Sequence, residues 1–481
     1  MNAIQKNLLP LIVGLMSTQL SAQTYNVLHN FPSNSRDGYA PAADLVLDGS
    51  TLYGTTISGG RGGGGTIFQV GTNGGNYSVI KNFTNSDGAT PGAGLVLSGG
   101  VLYGTTESGG NSGNGTVFMV NTDGTSYTVL KSFPALVPAV SGTNSDGAKP
   151  TGDLVLDGST IYGTANGGGT WGNGTVFKIN TNGSGFTVLK AFSALFQGTN
   201  NVSGNFLIHG TNIDGANPVA GLVLGGSTLY GTTFHGGISS NGVVFAIQTD
   251  GTGFTVLKNF SGLNNGTNSD GANPRAGLAL GGDTLYGMTV NGGSLYDGTL
   301  FKLNTNGTCF AVLKNYYYSD GAWPYNTLLL NGHTLYGTTF AGGTTNKGTI
   351  FKVNTDGSDY IVLKNMNPTD GFYSYSRLVL SGNTLYGTTY YGGSNYDGVV
   401  FSLAVPPQIQ VADGSFGVQS NVFGFNVAGV SNQVVVVEAC TDLTATVWLP
   451  LQTNTLGSDP VYFNDPTWKN FLSRFYRVRG Q

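Results

Sequence analysis

The sequence predicts an all-β protein, a seven-bladed β-propeller followed by a small C-terminal β-sandwich. Three observations carry this expectation. One segment recurs seven times, its copies are built from four short runs of strand-forming residues, and the two ends of the repeat region are truncated in complementary ways.

The repeat is anchored by "LYGTT" and its variants, with tyrosines at Tyr53, Tyr103, Tyr162, Tyr230, Tyr286, Tyr336 and Tyr386, spaced 50, 59, 68, 56, 50 and 50 residues apart. From each anchor to the aromatic of the "GTVF" element is always 15 residues, and from each junction aspartate in "DGA" to the next anchor is always 16. Only the connection from "YTVLKNF" to the next aspartate changes length. Within a copy, "GLVL", "LYGTT", "GTVFMV" and "YTVLKSF" read as strands A to D, rich in Val, Ile, Thr, Tyr and Phe and bounded by Gly, Asn or Asp. Asp-Gly and Asn-Gly pairs between A and B and between C and D suit the positive φ of tight hairpin turns. Each copy is therefore a four-stranded antiparallel meander, the unit of a propeller blade.

The ends supply a sharper test. The repeat region opens with a lone D element, "YNVLHNF" (Tyr25 to Phe31), while the seventh copy stops after "GVVFSLAVPP" with no D element of its own. The first D strand can complete the last blade and close the ring, removing exposed edges. An open solenoid gives no reason for this arrangement. The expected organisation is a signal peptide over residues 1–22, a propeller over 23–404 and an immunoglobulin- or fibronectin-like sandwich over 405–481. The leader carries one lysine, an apolar stretch from Leu8 to Met16, and small or polar residues up to Ala22, the layout of an export signal. A secreted or cell-surface location and a mature chain without a membrane span follow as expectations.

Composition narrows the function classes. Charged residues are 9% of the chain and the net charge is −4, which leaves no basic surface for nucleic acid. Two cysteines, Cys309 and Cys440, do not make a disulfide framework. Only two glutamates occur, and 15 of the 22 aspartates precede glycine, which is turn chemistry. His29, His209, His235 and His333 fall at four different places in the repeat frame, so no metal site or cofactor is expected from them. The junction aspartates Asp37, Asp87, Asp146, Asp214, Asp270, Asp320 and Asp370 have two readings, a carboxylate ring for a hard cation or side chains that cap their own turns. The second needs no ligand and is the simpler.

The motifs "GLVLSGGVLYGTT" and "GNGTVFMVNTDG" resemble the GloVer-type tandem repeat of exported bacterial proteins, over residues 36 to 403. The period and strand count are also similar to kelch repeats. The resemblance implies an extracellular or surface-exposed protein and brings no assigned activity. After "VPP", the segments "EACTDL", "VWLPLQT", "YFND" and "RFYRV" resemble a C-terminal module common in large exported bacterial proteins. Some members of the repeat family end in an apolar helix and basic residues. This sequence ends "RFYRVRGQ".

Residues invariant across copies serve blade packing, so functional residues should break the symmetry. Alternating strand direction puts the D-to-A and B-to-C connections on one face of the ring. There, long insertions gather at Pro134 to Asn144, Ser193 to Asn212 and Ser261 to Ser269, and aromatics gather around copies 5 to 7. Trp323, Tyr325, Tyr373, Tyr391 and Tyr396, with Asn395 and Asp397 as polar contacts, are the expected ligand surface. Exposed rings beside Asn, Thr and Asp suit a glycan or a protein partner, although the same rings could simply cover neighbouring blades. The expected function is that of a non-enzymatic binding protein, with a carbohydrate-active hydrolase or lyase on the loop face as the alternative.

Overall fold

The computed structural model describes residues 24–32, 36–138, 142–196, 210–410, 415–419, 422–430, 433–441, 447–457, 459–471 and 473–480. The leader, His209 and parts of the two longest insertions lie outside the described residues. Each copy folds as an antiparallel sheet in chain order. In the first, Val46–Asp48, Thr51–Thr56, Thr66–Gly71 and Ser78–Asn82 pair side by side.

Seven such four-stranded sheets occur among the described residues of the repeat region. The seventh is composite: Val379–Ser381, Thr384–Thr389 and Val399–Ala404 receive Tyr25–Asn30 as the outer strand, with Tyr25 opposite Leu403 and Asn30 opposite Val399. That is the pairing the truncated ends imply. The C–D register slips by a bulge between Val117 and Phe118, and the closing strand slips in the same way between Val27 and His29. Bulges of this kind sharpen the right-handed twist that packed sheets need.

Local sequence explains the repeat. Gly104 of "LYGTT" lies opposite Phe118 of "GTVF", and a Cβ at Gly104 would stand 2.6 Å from the Phe118 ring. The glycine is the space the aromatic occupies. Phe118 in turn meets Phe83 from the preceding copy edge-on, with centroids 5.2 Å apart, and both are fully buried. Burying a ring of this size stabilises by about 2–3 kcal/mol. Such clusters join every consecutive pair of sheets, and one built from Tyr386, Val400, Phe31, Leu45 and Phe68 joins the seventh to the first. The sheets thus form a closed, propeller-like ring.

The junction aspartates do two jobs. Asp87 accepts the Thr84 N–H at 2.7 Å, which is turn capping, and its other oxygen meets Lys81 Nζ at 2.5 Å. Lys81 lies 4.0 Å above the Tyr127 ring of the next copy. The same lysine, aspartate and aromatic sandwich recurs at Lys131, Lys190, Lys258, Lys314 and Lys364, the last using Tyr25 of the closing strand. These pairs occupy six of the seven carboxylates that a cation ring would need. At the remaining junction the lysine is replaced by His29, stacked on Tyr77 at 3.6 Å.

Beyond the ring, Gln408–Gln410, Val422–Ala428, Gly417–Gln419 and Val461–Asp465 form one small sheet, and Leu449–Thr455, Val434–Cys440 and Phe475–Gly480 another. Phe423, Phe425, Val427, Val435, Val437 and Phe463 share one core between them. Cys309 is exposed and Cys440 buried, and the two are not joined in a disulfide. No helix among the described residues is long and apolar enough to cross a membrane.

Candidate binding cavity on the loop face

The two connections expected on one face are joined there. Isolated bridges link the D-to-A and B-to-C connections of each copy, from Tyr39 with Ser58 to Phe372 with Tyr391. Three residues after each junction aspartate the backbone turns left-handed, with φ of 57° at Ala40, 54° at Trp323 and 59° at Tyr373. The N–H of that residue crosses to the neighbouring copy, as in Thr90 to Gly64 O at 2.8 Å and Ala40 to Asp397 O at 2.9 Å. The segments that follow all seven turns line a central cavity of about 680 Å³.

The wall is uneven. Copies 1 to 3 contribute small residues such as Ala42, Gly92 and Gly152, together with the carboxyls of Asp44, Glu107 and Asp153. Copies 5 to 7 contribute Arg275, Tyr325, Tyr375 and Tyr390. The aromatic side continues outward without a break: Tyr325 meets Phe340 at 5.0 Å, Phe340 stacks on Tyr373 at 4.2 Å, and Tyr375 leads through Tyr390 to Tyr391. The Arg275 guanidinium sits 5.0 Å over the Tyr325 ring.

At the floor, Asp44 Oδ1 accepts the Arg377 N–H at 2.5 Å, and Asp153 Oδ1 accepts the Gly94 N–H at 2.5 Å. Gly94 separates the two carboxyls, and a Cβ there would stand 2.8 Å from Asp44 Cβ and 2.9 Å from Asp153 Oδ1. Burial, and then the charge of Asp153, push the Asp44 carboxyl up to about 8, against the pull of Arg377. Its Oδ2, closed to solvent, forms an ion pair with Arg377 Nε at 3.3 Å. Among the described residues, no group of three or more His, Cys, Asp or Glu side chains gathers as a metal site requires.

The structure spreads the expected site residues over several places. Tyr325 lines the cavity, while Tyr373 and Tyr391 lie on the outward continuation of the aromatic belt. Trp323 is half-buried, edge-on to Tyr318 at 6.1 Å. Tyr396 is 62% exposed at a turn with φ 65°. Asn395 donates to Phe31 O at 3.1 Å and so ties down the closing strand, and the Asp397 carbonyl takes the Ala40 N–H. Neither Asn395 nor Asp397 is among the cavity-lining residues.

Sequence reading missed Asp44, Asp153, Arg275, Tyr375 and Tyr390. A signal was present for most of them. Positions three, five and seven after each junction aspartate vary between copies, the seventh running Asp44, Gly94, Asp153, Gly221, Gly277, Thr327, Arg377. The intervening positions stay close to Pro, Ala and Leu. Period-two variation marks an extended segment with one face packed and the other facing an open space.

The sequence profile of the Gloeobacter/Verrucomicrobia repeat matches residues 14–208 and 261–421. The chain belongs to this repeat family. No curated protein matches it. Among solved structures, the chain is similar to an oligogalacturonate lyase in complex with manganese, at 12% identity and TM-score 0.50, over 79% of this chain and 93% of that one. It is also similar to a putative 6-phosphogluconolactonase from Bacteroides uniformis, at 15% identity and TM-score 0.45, over 86% and 98% of the two chains. The β-propeller domain of the Trilobed protease from Pyrococcus furiosus aligns at 8% identity and TM-score 0.41, over 76% and 95%. At these identities the first likeness speaks for the fold of this Gloeobacter/Verrucomicrobia repeat protein and for nothing of its chemistry.

Proposed function

We propose that this protein is an exported, seven-bladed β-propeller with a C-terminal β-sandwich, which binds a carbohydrate chain in the central cavity of its loop face. The observation that carries the reading is the aromatic belt running from the cavity wall at Tyr325, Tyr375 and Tyr390 out to Tyr373 and Tyr391. Sugar rings present C–H faces that stack on such rings, and each good contact contributes about 1 kcal/mol. Acceptors and donors from Glu107, Asn166 and Asn217 line the same cavity and suit hydroxyl groups.

Backbone strain supports the same face. Trp323, Tyr373, Tyr296 and Tyr396 all hold positive φ, the last two at a turn position that is Gly63, Gly113 and Gly172 in copies 1 to 3. A bulky residue there costs about 1 kcal/mol or more and is retained where the surroundings or a function require it. A glycan array probed with the purified protein tests the proposal. Binding that Tyr325→Ala and Tyr375→Ala weaken about fivefold each is the expected result, and an array without any hit sinks it. The alternative of a hydrolase or lyase draws on the Asp44 and Asp153 carboxyls, and predicts release of new sugar ends that Asp153→Asn abolishes. Export predicts that the mature chain begins at or near Gln23, which N-terminal sequencing of the recovered protein checks.

A further inference from the structure

We propose that the aromatic belt of this cavity binds an acidic glycan, with Arg275 and Lys347 taking the carboxylates of its uronic acid residues. The inference rests on the carbohydrate reading and deepens it by naming the sugar class. An unbroken line of contacts joins the two cations. The Arg275 guanidinium lies 5.0 Å over the Tyr325 ring, Tyr325 meets Phe340 at 5.0 Å, and Phe340 stacks on Tyr373 at 4.2 Å. At the outer end Lys347 Nζ lies 5.4 Å over Tyr373 and 4.4 Å over Phe372. Arg275 and Tyr325, at the inner end, line the cavity.

Both cations break the sevenfold pattern. Five residues after the junction aspartate, copies 1 to 4 carry Ala42, Gly92, Thr151 and Val219 where copy 5 carries Arg275. Just before the glycine of "GTVF", copies 2 to 4 carry Asn114, Asn173 and Asn241, whose amides donate to carbonyls just past strand D. In copy 6 Thr345 makes that tie instead, to Met366 O, and Lys347 takes the asparagine position without its task. Neither cation is spent on an ion pair within the ring. The six strand lysines each meet a junction aspartate and Arg377 meets Asp44, whereas Arg275 and Lys347 meet no carboxylate among the described residues.

A guanidinium lying over a ring is held in orientation while its N–H edge stays open, and that planar edge matches a carboxylate through two parallel hydrogen bonds. Arg275 is exposed, so its donors can be reached. Burial raises the pKa of Tyr325 and of Tyr375, and the charge of Arg275 opposes the rise at both, so it acts on two of the cavity's rings at once. Among the described residues no cation lies over Tyr375, Tyr390 or Tyr391, and these rings supply the stacking surface. A uronic acid carries its carboxylate at the edge of the sugar ring, where it projects past a stacked face toward a neighbouring cation. The carboxyls of the cavity stand elsewhere. Asp44 is ion-paired with Arg377, and Glu107 and Asp153 belong to copies 2 and 3, whereas the two cations belong to copies 5 and 6.

The test is calorimetry on the full chain with trimers of galacturonate, glucuronate and mannuronate, the methyl ester of each, and a sulfated galactose trimer. The expected result is at least about tenfold tighter binding of one uronate than of its ester at low salt, narrowing as ionic strength rises. In Arg275→Gln and in Lys347→Gln the ratio of acid to ester affinity should fall, and in the double variant it should approach one, with thermal melting checking that each variant folds. If an ester binds as tightly as its acid, the uronate inference is overturned and the carbohydrate reading stands. If no trimer binds, the inference falls, and the carbohydrate reading falls with it only when the glycan array is empty as well. A preference that survives the double substitution places the anion elsewhere, and a sulfated trimer that binds as tightly as the best uronate puts charge alone in place of carboxylate recognition; either result overturns the inference.

Discussion

At the scale of single residues, the repeat alternates side chains that must be small with side chains that must be large. Gly104 is small because Phe118 fills its place, so Gly104→Ala pushes a methyl into a ring 2.6 Å away. Overpacking of this kind costs about 1–3 kcal/mol, and the melting temperature in thermal denaturation should drop accordingly. Tyr396 presents the reverse case, being 62% exposed with φ 65°. Glycine adopts that conformation without the Cβ clash, which offsets its greater entropy in the unfolded chain. Tyr396→Gly should leave the melting temperature level or raise it slightly while weakening glycan binding, and a clear drop in stability would show the ring to be packing. Trp323→Ala and Tyr391→Ala test the rim in the same assays, with binding reduced and melting nearly unchanged as the expected pair of results.

At the scale of strands, the closing junction differs from the other six by one residue. Where Lys81, Lys131, Lys190, Lys258, Lys314 and Lys364 meet a junction aspartate, His29 stacks on Tyr77 and packs edge-on to Phe31. Burial, only partly opposed by the charge of Asp37, lowers its pKa from 6.5 to about 4. Between those two values the unfolded chain binds a proton that the folded one refuses. The stability from a neutral His29 is therefore complete above about pH 6.5 and is lost as pH falls through the window down to about 4. Denaturant titrations across this range should show the loss, and His29→Lys, which can pair with Asp37 as the other lysines pair, should flatten it. An unchanged slope in the variant would assign the acid sensitivity to other groups.

At the scale of the whole molecule, the ring depends on a strand borrowed from the far end of the chain. Tyr25–Asn30 completes the seventh sheet, Tyr25 caps Lys364, and Phe31 enters the cluster between the seventh sheet and the first. Deleting residues 24–31 should leave Val399–Ala404 as an open edge, and the protein should lose its single cooperative melting transition and aggregate on size-exclusion chromatography. A deletion protein that stays monomeric and melts like the parent would show the ring to be held by other contacts. The asymmetry of the cavity belongs to this scale as well. Acidic residues from copies 1 to 3 and aromatic residues from copies 5 to 7 face one another only because the ring closes.

Periodicity and turn chemistry made the strands, their order within each sheet and the closing pair readable from the sequence, because these are set by local spacing and by which strand each truncated end lacks. The common face of the variable loops was readable too, since strand direction alternates by necessity. Tyr325 was a candidate by its chemistry and lines the cavity. Asp44 and Asp153 were not, because they lie 109 residues apart in the chain and an aspartate in isolation resembles the many that cap turns. What joins them is the glycine at position 94 of the intervening copy, whose missing side chain lets the two carboxyls approach. Likewise, Asn395 and Asp397 look alike in the sequence beside exposed tyrosines, and only the closed ring shows that the Asn395 amide donates to Phe31 while Asp397 gives its backbone carbonyl to Ala40. Short-range spacing decides the sheets, whereas burial and charge at the centre depend on seven segments arriving together, which only the tertiary structure specifies.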